Sequence, residues 1–303
     1  MKDFSRFGFI AIIGESNVGK STLVNKLVGQ KISIVTHKIQ TTRNKVLGIL
    51  LHNKSQLVLV DTPGIFMPKK RFDNALIDAA WSGLFDADIG VLLIDARYGA
   101  RKDAKKIINV LNKNNRKVIC VINKIDLVSK NSLLSIIEEL KSYSVFTDYI
   151  LISALKGDGI EKLLDILSNR VPKGPWHYPE DQISDMPIRN FSLELVREKL
   201  LLFLHQELPY ELTLELEGWE ELDDGSYRID IIILVKRENH KPIVLGKNGS
   251  KIKKIGSLAR KELQTTFNKK VHLFLHVKVN EKWQDIPQYY VNLGLNFPKE
   301  FIN

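Results

Sequence analysis

Gly14-Glu15-Ser16-Asn17-Val18-Gly19-Lys20-Ser21 has the spacing G-x-x-x-x-G-K-S. Glycines at both ends of such a loop let the backbone curl so that successive N–H groups point at one centre, which is how a loop cradles phosphate oxygens. Residues Gly14 to Gly19 would form that cradle. Lys20 would neutralise β- and γ-phosphates, Ser21 would place a hydroxyl on Mg2+, and Thr22 would reach a phosphate. Three further stretches suit the same chemistry. In Asp61-Thr62-Pro63-Gly64, Asp61 would hold a water on Mg2+, and the Gly64 N–H would touch the γ-phosphate and report its loss. In Asn123-Lys124-Ile125-Asp126, Asp126 would accept from the ring N–H and exocyclic amine of guanine. Adenine would leave that carboxylate unpaired, so it is rejected. Asn123 would tie this loop to the base, and the stem of Lys124 would cover the base's face. In Ser153-Ala154-Leu155-Lys156, the Ala154 N–H is set to donate to the guanine carbonyl. The four stretches in this order specify a site for GTP and GDP with Mg2+.

A second glycine loop, Gly246-Lys247-Asn248-Gly249, is not a copy of the first, because it has no four-residue spacer and no Gly-Lys-Ser. Its G-x-x-G form allows a phosphodiester backbone to approach closely and clamps about four single-stranded nucleotides. Lys247, Lys251, Lys253 and Lys254 would supply the charge, and Ile243, Val244, Ile252 and Ile255 divide between core and base-holding groove. From Lys236 to Lys278 there are 12 Lys or Arg and 2 acidic residues, a net of +10 that equals the net charge of the whole chain. The excess therefore sits in one region, and a patch of this kind attracts polyanions: nucleic acid or an acidic membrane surface.

The elements that must position these loops follow from periodicity. The first part alternates apolar strand-like runs (FGFIAIIG, SQLVLV, DIGVLLIDA, KVICVINK, DYILIS) with helical ones. That pattern predicts an α/β P-loop domain, a mainly parallel sheet with helices on both faces. Residues 1–174 form this domain. Residues 175–189 continue a proline-rich, aperiodic stretch read as a linker. Residues 190–280 have the order α-β-β-α-α-β, an α+β domain in which GSKIKKIG and SLARKELQTTFN read as two helices broken near Gly256. Residues 281–303 are a tail with one short helix. His272, Phe274 and His276 share one face of the last strand, read as a half-exposed sheet surface and not a metal site.

Length and composition agree with this division. A chain of 303 residues fits two domains. The single cysteine, Cys120, lies in an apolar run and reads as a small core residue in a reducing compartment. No apolar run approaches the ~18 residues of a spanning helix. The basic, apolar N-terminus runs directly into the phosphate loop without a cleavage site, so it reads as a strand.

With these motifs the chain resembles the bacterial Era family of GTPases. It also carries GQKISIV-x-x-K-x-QTTR at Gly29–Arg43, similar to that family's effector loop. The resemblance covers almost the whole chain and identifies the second domain as a type II KH domain. It implies a slow GTPase that binds single-stranded small-subunit rRNA and acts in assembly of the 30S ribosomal subunit. It also implies a cytoplasmic monomer with peripheral contact at the anionic inner face of the membrane. One departure is Glu15-Ser16, where relatives usually carry Arg-Pro; these side chains need not touch phosphate, so little functional consequence is expected. Thr41 and Thr42 are both candidates for the switch-loop Mg2+ ligand, with Thr42 preferred. Ile65 stands where a water-orienting glutamine would be. Gln40 and Gln56 are the possible substitutes, but positioning and charge are preferred as the source of catalysis, through Asn17, Lys20, Thr42 and Gly64. In the wider class a P-loop asparagine at the position of Asn17 accompanies a bound K+, which implies K+-stimulated hydrolysis.

Overall fold

A computed structural model of the chain describes residues 5–38, 41–66, 68, 70–204 and 208–298. Two compact units divide the chain: Met1–Asp185 with Leu293–Asn303, and Met186–Asn292.

The first unit runs β1 (Arg6–Ile13), α1 (Lys20–Val28), β2 (Val46–His52), β3 (Ser55–Asp61), α2 (Arg71–Asp86) and β4 (Ile89–Asp95), then α3 (Lys102–Lys113), β5 (Val118–Asn123), α4 (Lys130–Lys141), β6 (Phe146–Leu151) and α5 (Ile160–Arg170). The strands form one sheet in the order β2-β3-β1-β4-β5-β6, parallel except where β2 runs antiparallel to β3. Every residue of β3 and β5 is buried, as expected of strands covered on both faces. Cys120 is fully buried in β5, and burial pushes its thiol well up, so it is inert packing. β1 bonds β3 on one side and β4 on the other. Strand order therefore reverses beside β1, and loops at the carboxyl ends of the strands surround a crevice there. The phosphate loop, DTPG, NKID and the Ser153-Ala154 turn all leave that edge.

The stretch read as a linker is partly fastened to this unit. β2 is an edge strand, and its outward N–H groups need partners. Ile49 N donates to Ile183 O at 2.9 Å and Leu47 N to Asp185 Oδ1 at 3.0 Å. His177 stacks on Phe7 with ring centroids 3.9 Å apart. Proline content hid this, because partners for an edge strand leave no periodic signature.

The second unit runs α6 (Ile188–Phe203), β7 (Leu212–Glu221), β8 (Tyr227–Val235), α7 (His240–Leu245), α8 (Ser250–Phe267), β9 (Val271–Val279) and α9 (Pro287–Val291). Its sheet has the order β7-β8-β9, antiparallel then parallel. Leu195, Leu200, Ile231, Ile233, Ile255, Ala259 and Leu263 are among the fully buried residues of its core. The order α-β-β-α-α-β holds, but the helices are cut differently from expectation. GSKIKKIG and SLARKELQTTFN are one helix, α8, and α7 precedes the glycine loop. A single glycine inside a helix costs about 1 kcal/mol relative to alanine. Burial of Ile255, Ala259 and Leu263 on one stripe outweighs that, so α8 passes through Gly256 unbroken. In the tail, Trp283 and Tyr290 are fully buried, and the Tyr289 hydroxyl donates to Glu215 at 3.3 Å.

Candidate functional site

The first glycine loop closes α1 at its N-terminus. Gly19 has φ +101°, and a Cβ there would lie 2.5 Å from Asn123 Nδ2. Only glycine fits both the conformation and the space. Lys20 is 6% exposed, and its ammonium donates to Gly14 O (3.1 Å) and Glu15 O (2.9 Å). Burial lowers its pKa to about 8, against the opposing charges of Asp61 and Glu15.

Ser21 Oγ and Thr42 Oγ1 lie 2.9 Å apart. That is about the separation of adjacent oxygens around an octahedral ion with bonds of 2.0–2.1 Å. Thr41 Oγ1 instead meets Thr36 Oγ1 and donates to Lys38 O. Asp61 is wholly buried, and neither carboxylate oxygen has a hydrogen-bond partner. Burial raises its pKa, while Ser21, Lys20, Ser33 and Thr42 act in the opposite sense. An unpaired buried carboxylate beside two converging hydroxyls suits a hard divalent cation, so Ser21, Thr42 and Asp61 fit Mg2+. The Thr62 hydroxyl is not available to a ligand, because it donates to Ile12 O at 2.8 Å and pins the DTPG turn to β1.

A cavity of about 480 Å³ joins this end to the NKID loop. Ser16, Asn17, Gly19, Lys20, Ser21, Thr22, Thr42, Gly64, Asn123, Lys124, Asp126, Ser153 and Ala154 line it; Gly14, Glu15, Val18, Asp61, Thr62 and Pro63 are not among the lining residues. Asn123 is 2% exposed; its Nδ2 donates to Val18 O (2.8 Å) and its Oδ1 accepts from Ala154 N (2.9 Å). It therefore staples three loops together. The Ala154 N–H, expected to reach the base, is engaged by this staple. Lys124 Nζ donates to Asn17 O (2.6 Å) and pairs with Asp95 Oδ2 (2.8 Å). Asn17 Nδ2 donates in turn to His37 O at 2.7 Å, so the residue links the phosphate loop to the effector loop.

Sequence reasoning missed Asp95 and Arg97. Arg97 lines the cavity and shares Asp95 with Lys124. Burial pushes the Asp95 carboxyl up, but hydrogen bonds from Arg97 and Lys124 outweigh it and hold the group below its ordinary value. The available signal was position, the carboxyl end of β4 beside the crevice. Leu127 and Leu155, 56% and 79% exposed, flank Asp126 with apolar surface that suits a planar ring.

Ile65 is buried and its N–H donates to Gly14 O at 3.1 Å. Gln56 is 0% exposed and wholly used: Nε2 donates to Tyr178 O (2.8 Å), and Oε1 accepts from the N–H groups of His177 and Tyr178. It is no substitute for a catalytic glutamine. Gln40 lies outside the described residues. Glu15 Oε1 accepts from Ala104 N at 2.5 Å, capping the first turn of α3.

The second glycine loop stands open. Gly246 has φ +74° and ψ 173°, and a Cβ there would lie 2.7 Å from Lys251 Cβ. Asn248 and Gly249 also have positive φ, and the space beside Gly249 is empty of heavy atoms within 4 Å. Lys247, Lys253 and Lys254 are exposed. Lys251 Nζ braces the loop on Ile243 O at 2.9 Å, and Lys254 Nζ lies 5.0 Å from the centre of the Phe203 ring. Of the apolar candidates, Val244 and Ile255 are core, while Ile243 is 47% exposed and Ile252 is half-buried. On β9, Phe274 is exposed beneath the Arg228 guanidinium, and no metal-binding cluster occurs among the described residues.

Comparison with known proteins agrees with both halves. Residues 9–124 match the family described as 50S ribosome-binding GTPase, and residues 207–284 match the KH domain. The chain is 52% identical to GTPase Era of Mesorhizobium japonicum over 96% of this chain and 94% of that protein. It is 49% identical to GTPase Era of Sinorhizobium medicae over 97% and 95%. Among solved structures it is similar to Era in complex with MgGDPNP and nucleotides 1506–1542 of 16S ribosomal RNA, with a TM-score of 0.90, 38% identity and coverage of 96% and 99%. An Aquifex aeolicus Era variant bound to GDP and AlF4- gives a TM-score of 0.90 at 38% identity, over 95% of this chain and 99% of that one. With a P-loop unit followed by a KH unit, and relatives at about half identity along nearly its full length, the chain belongs to the Era family of GTPases.

Proposed function

We propose that this GTPase is a switch that binds single-stranded RNA of the small ribosomal subunit and acts in assembly of that subunit. The observation that carries the reading is the separation of two phosphate sites by enclosure. One cavity has a cation set at one end and Asp126 at the other, and a distinct exposed glycine ledge lies in a basic surface. The solved Era complex with MgGDPNP and 16S rRNA supports the same pairing of ligands.

At the nucleotide, Lys20 exchanges the carbonyls of Gly14 and Glu15 for phosphate oxygens. Ser21, Thr42 and, through a water, Asp61 would hold Mg2+, which would supply positive charge against the phosphates. The Gly64 N–H reads the γ-phosphate. Asp126 selects guanine, with Lys124 over the ring and Asn123 holding the loops in register. With Ile65 buried and Gln56 occupied, positioning and charge drive the attack of water. Asn17 is the ligand proposed for K+. Turnover that is equal in K+ and Na+ would remove that role.

Gly246, Lys247, Asn248 and Gly249 receive the RNA backbone; Lys253 and Lys254 add charge, and Lys251 keeps the loop in shape. Loss of the γ-phosphate would alter the switch residues of 31–43 and 64–73 and, through the linker, the affinity for RNA. The test is RNA binding in GDP against a non-hydrolysable GTP analogue; equal affinities refute the coupling. We read the protein as a cytoplasmic monomer. A second reading, peripheral contact with an anionic membrane, draws on the exposed Lys253, Lys254, Arg260 and Lys261 around a 40%-exposed Leu258 on α8.

A further inference from the structure

Ser16 carries a hydroxyl with no task in the phosphate-loop motif, where backbone N–H groups do the cradling. Its Oγ is buried and has no hydrogen-bond partner, yet Ser16 lines the nucleotide cavity. The residue it faces is Gly64. A Cβ on Gly64 would lie 2.8 Å from Ser16 Oγ and 3.1 Å from Ser16 Cα. That approach is fixed by the backbone, since Ile65 N donates to Gly14 O at 3.1 Å and Glu15 bridges Ile65 in parallel register. The Ser16 hydroxyl therefore sits where the phosphate loop meets the glycine that reads the γ-phosphate. A buried hydroxyl left unpaired is unfavourable, and an anionic oxygen arriving there would accept its proton in a charge-assisted hydrogen bond. Lys20 does not compete for Ser16 Oγ, because its ammonium is directed to the carbonyls of Gly14 and Glu15.

We propose that Ser16 donates its hydroxyl to a γ-phosphoryl oxygen and so helps this chain distinguish GTP from GDP. This contact would give the Glu15-Ser16 departure a functional consequence at Ser16. The inference rests on the guanine-nucleotide reading of the cavity. It names a contact that depends on the side chain and not on the loop backbone.

The test measures the affinity of the full chain for GDP and for a non-hydrolysable GTP analogue, in the unsubstituted protein, Ser16→Ala and Ser16→Gly. Both variants remove the hydroxyl, and Ser16→Gly also relieves any crowding against Gly64. Each should weaken the GTP analogue by about ten-fold while GDP moves less than about two-fold. Equal losses for both nucleotides would mean that Ser16 only shapes the loop, and no loss for either would mean that the hydroxyl is idle; each result overturns the inference alone. Failure of the unsubstituted chain to bind guanine nucleotides would overturn the site reading as well.

Discussion

The two glycine loops solve one problem, bringing backbone next to phosphate, in opposite surroundings. In the first, the lysine is 6% exposed, burial lowers its pKa, and an unpaired carboxylate waits behind it. In the second, Lys247 and its neighbours are exposed, and nothing stands beside Gly249. An enclosed loop grips a terminal phosphate group and can sense whether the last phosphate is present. An open ledge accepts a chain that enters and leaves, so it reads a backbone and not an end. Charge burial also sets the response to salt, because exposed lysines are screened and buried ones much less.

Three experiments break or sharpen this contrast. The largest effect is expected for Gly19→Ala. Its Cβ would strike Asn123 Nδ2 and needs a φ that L-residues avoid. Strain of about 2–3 kcal/mol predicts a loss of guanine-nucleotide affinity on the order of 100-fold, with RNA affinity of the nucleotide-free protein little changed. A parallel loss of RNA binding in a titration would show that the loops are not separate devices. Next is Gly246→Asp, which adds strain and a negative charge on the ledge. RNA affinity should fall by roughly 30- to 100-fold, while binding to anionic vesicles falls only slightly. A large loss of vesicle binding with RNA affinity intact would favour the membrane reading. The smallest is Lys247→Ala: RNA affinity drops a few-fold, and the slope of log affinity against log salt becomes shallower by about 0.7, the share of one phosphate contact on a single strand. An unchanged slope would place Lys247 off the RNA path.

Much of this was legible in sequence, and the exceptions share a cause. The strand and helix alternation and the four nucleotide stretches are local patterns, and the structure brings those stretches to one edge of the sheet. Asn123 reads from sequence as tying its loop to the base; the structure adds that its amide donates to Val18 O and accepts from Ala154 N. Gln56 had the chemistry of a water-orienting side chain, yet it holds the chain at His177 and Tyr178. At Gly256 the pattern predicts a break, but α8 continues because local propensity yields to a buried stripe.

Residue type and spacing alone point to the ligands: a guanine nucleotide with Mg2+ at the first loop and a polyanion at the second. These follow from short-range geometry, since phosphate cradles and G-x-x-G ledges are made by neighbours in the chain. Tertiary structure decided how each polar group is spent. It set Thr42 against Ser21, tied residues 183–185 to the edge of β2, and put Ser16 under Gly64 with its hydroxyl unpaired. A hydrogen-bonding side chain has one set of partners, and only packing between segments far apart in sequence determines which they are.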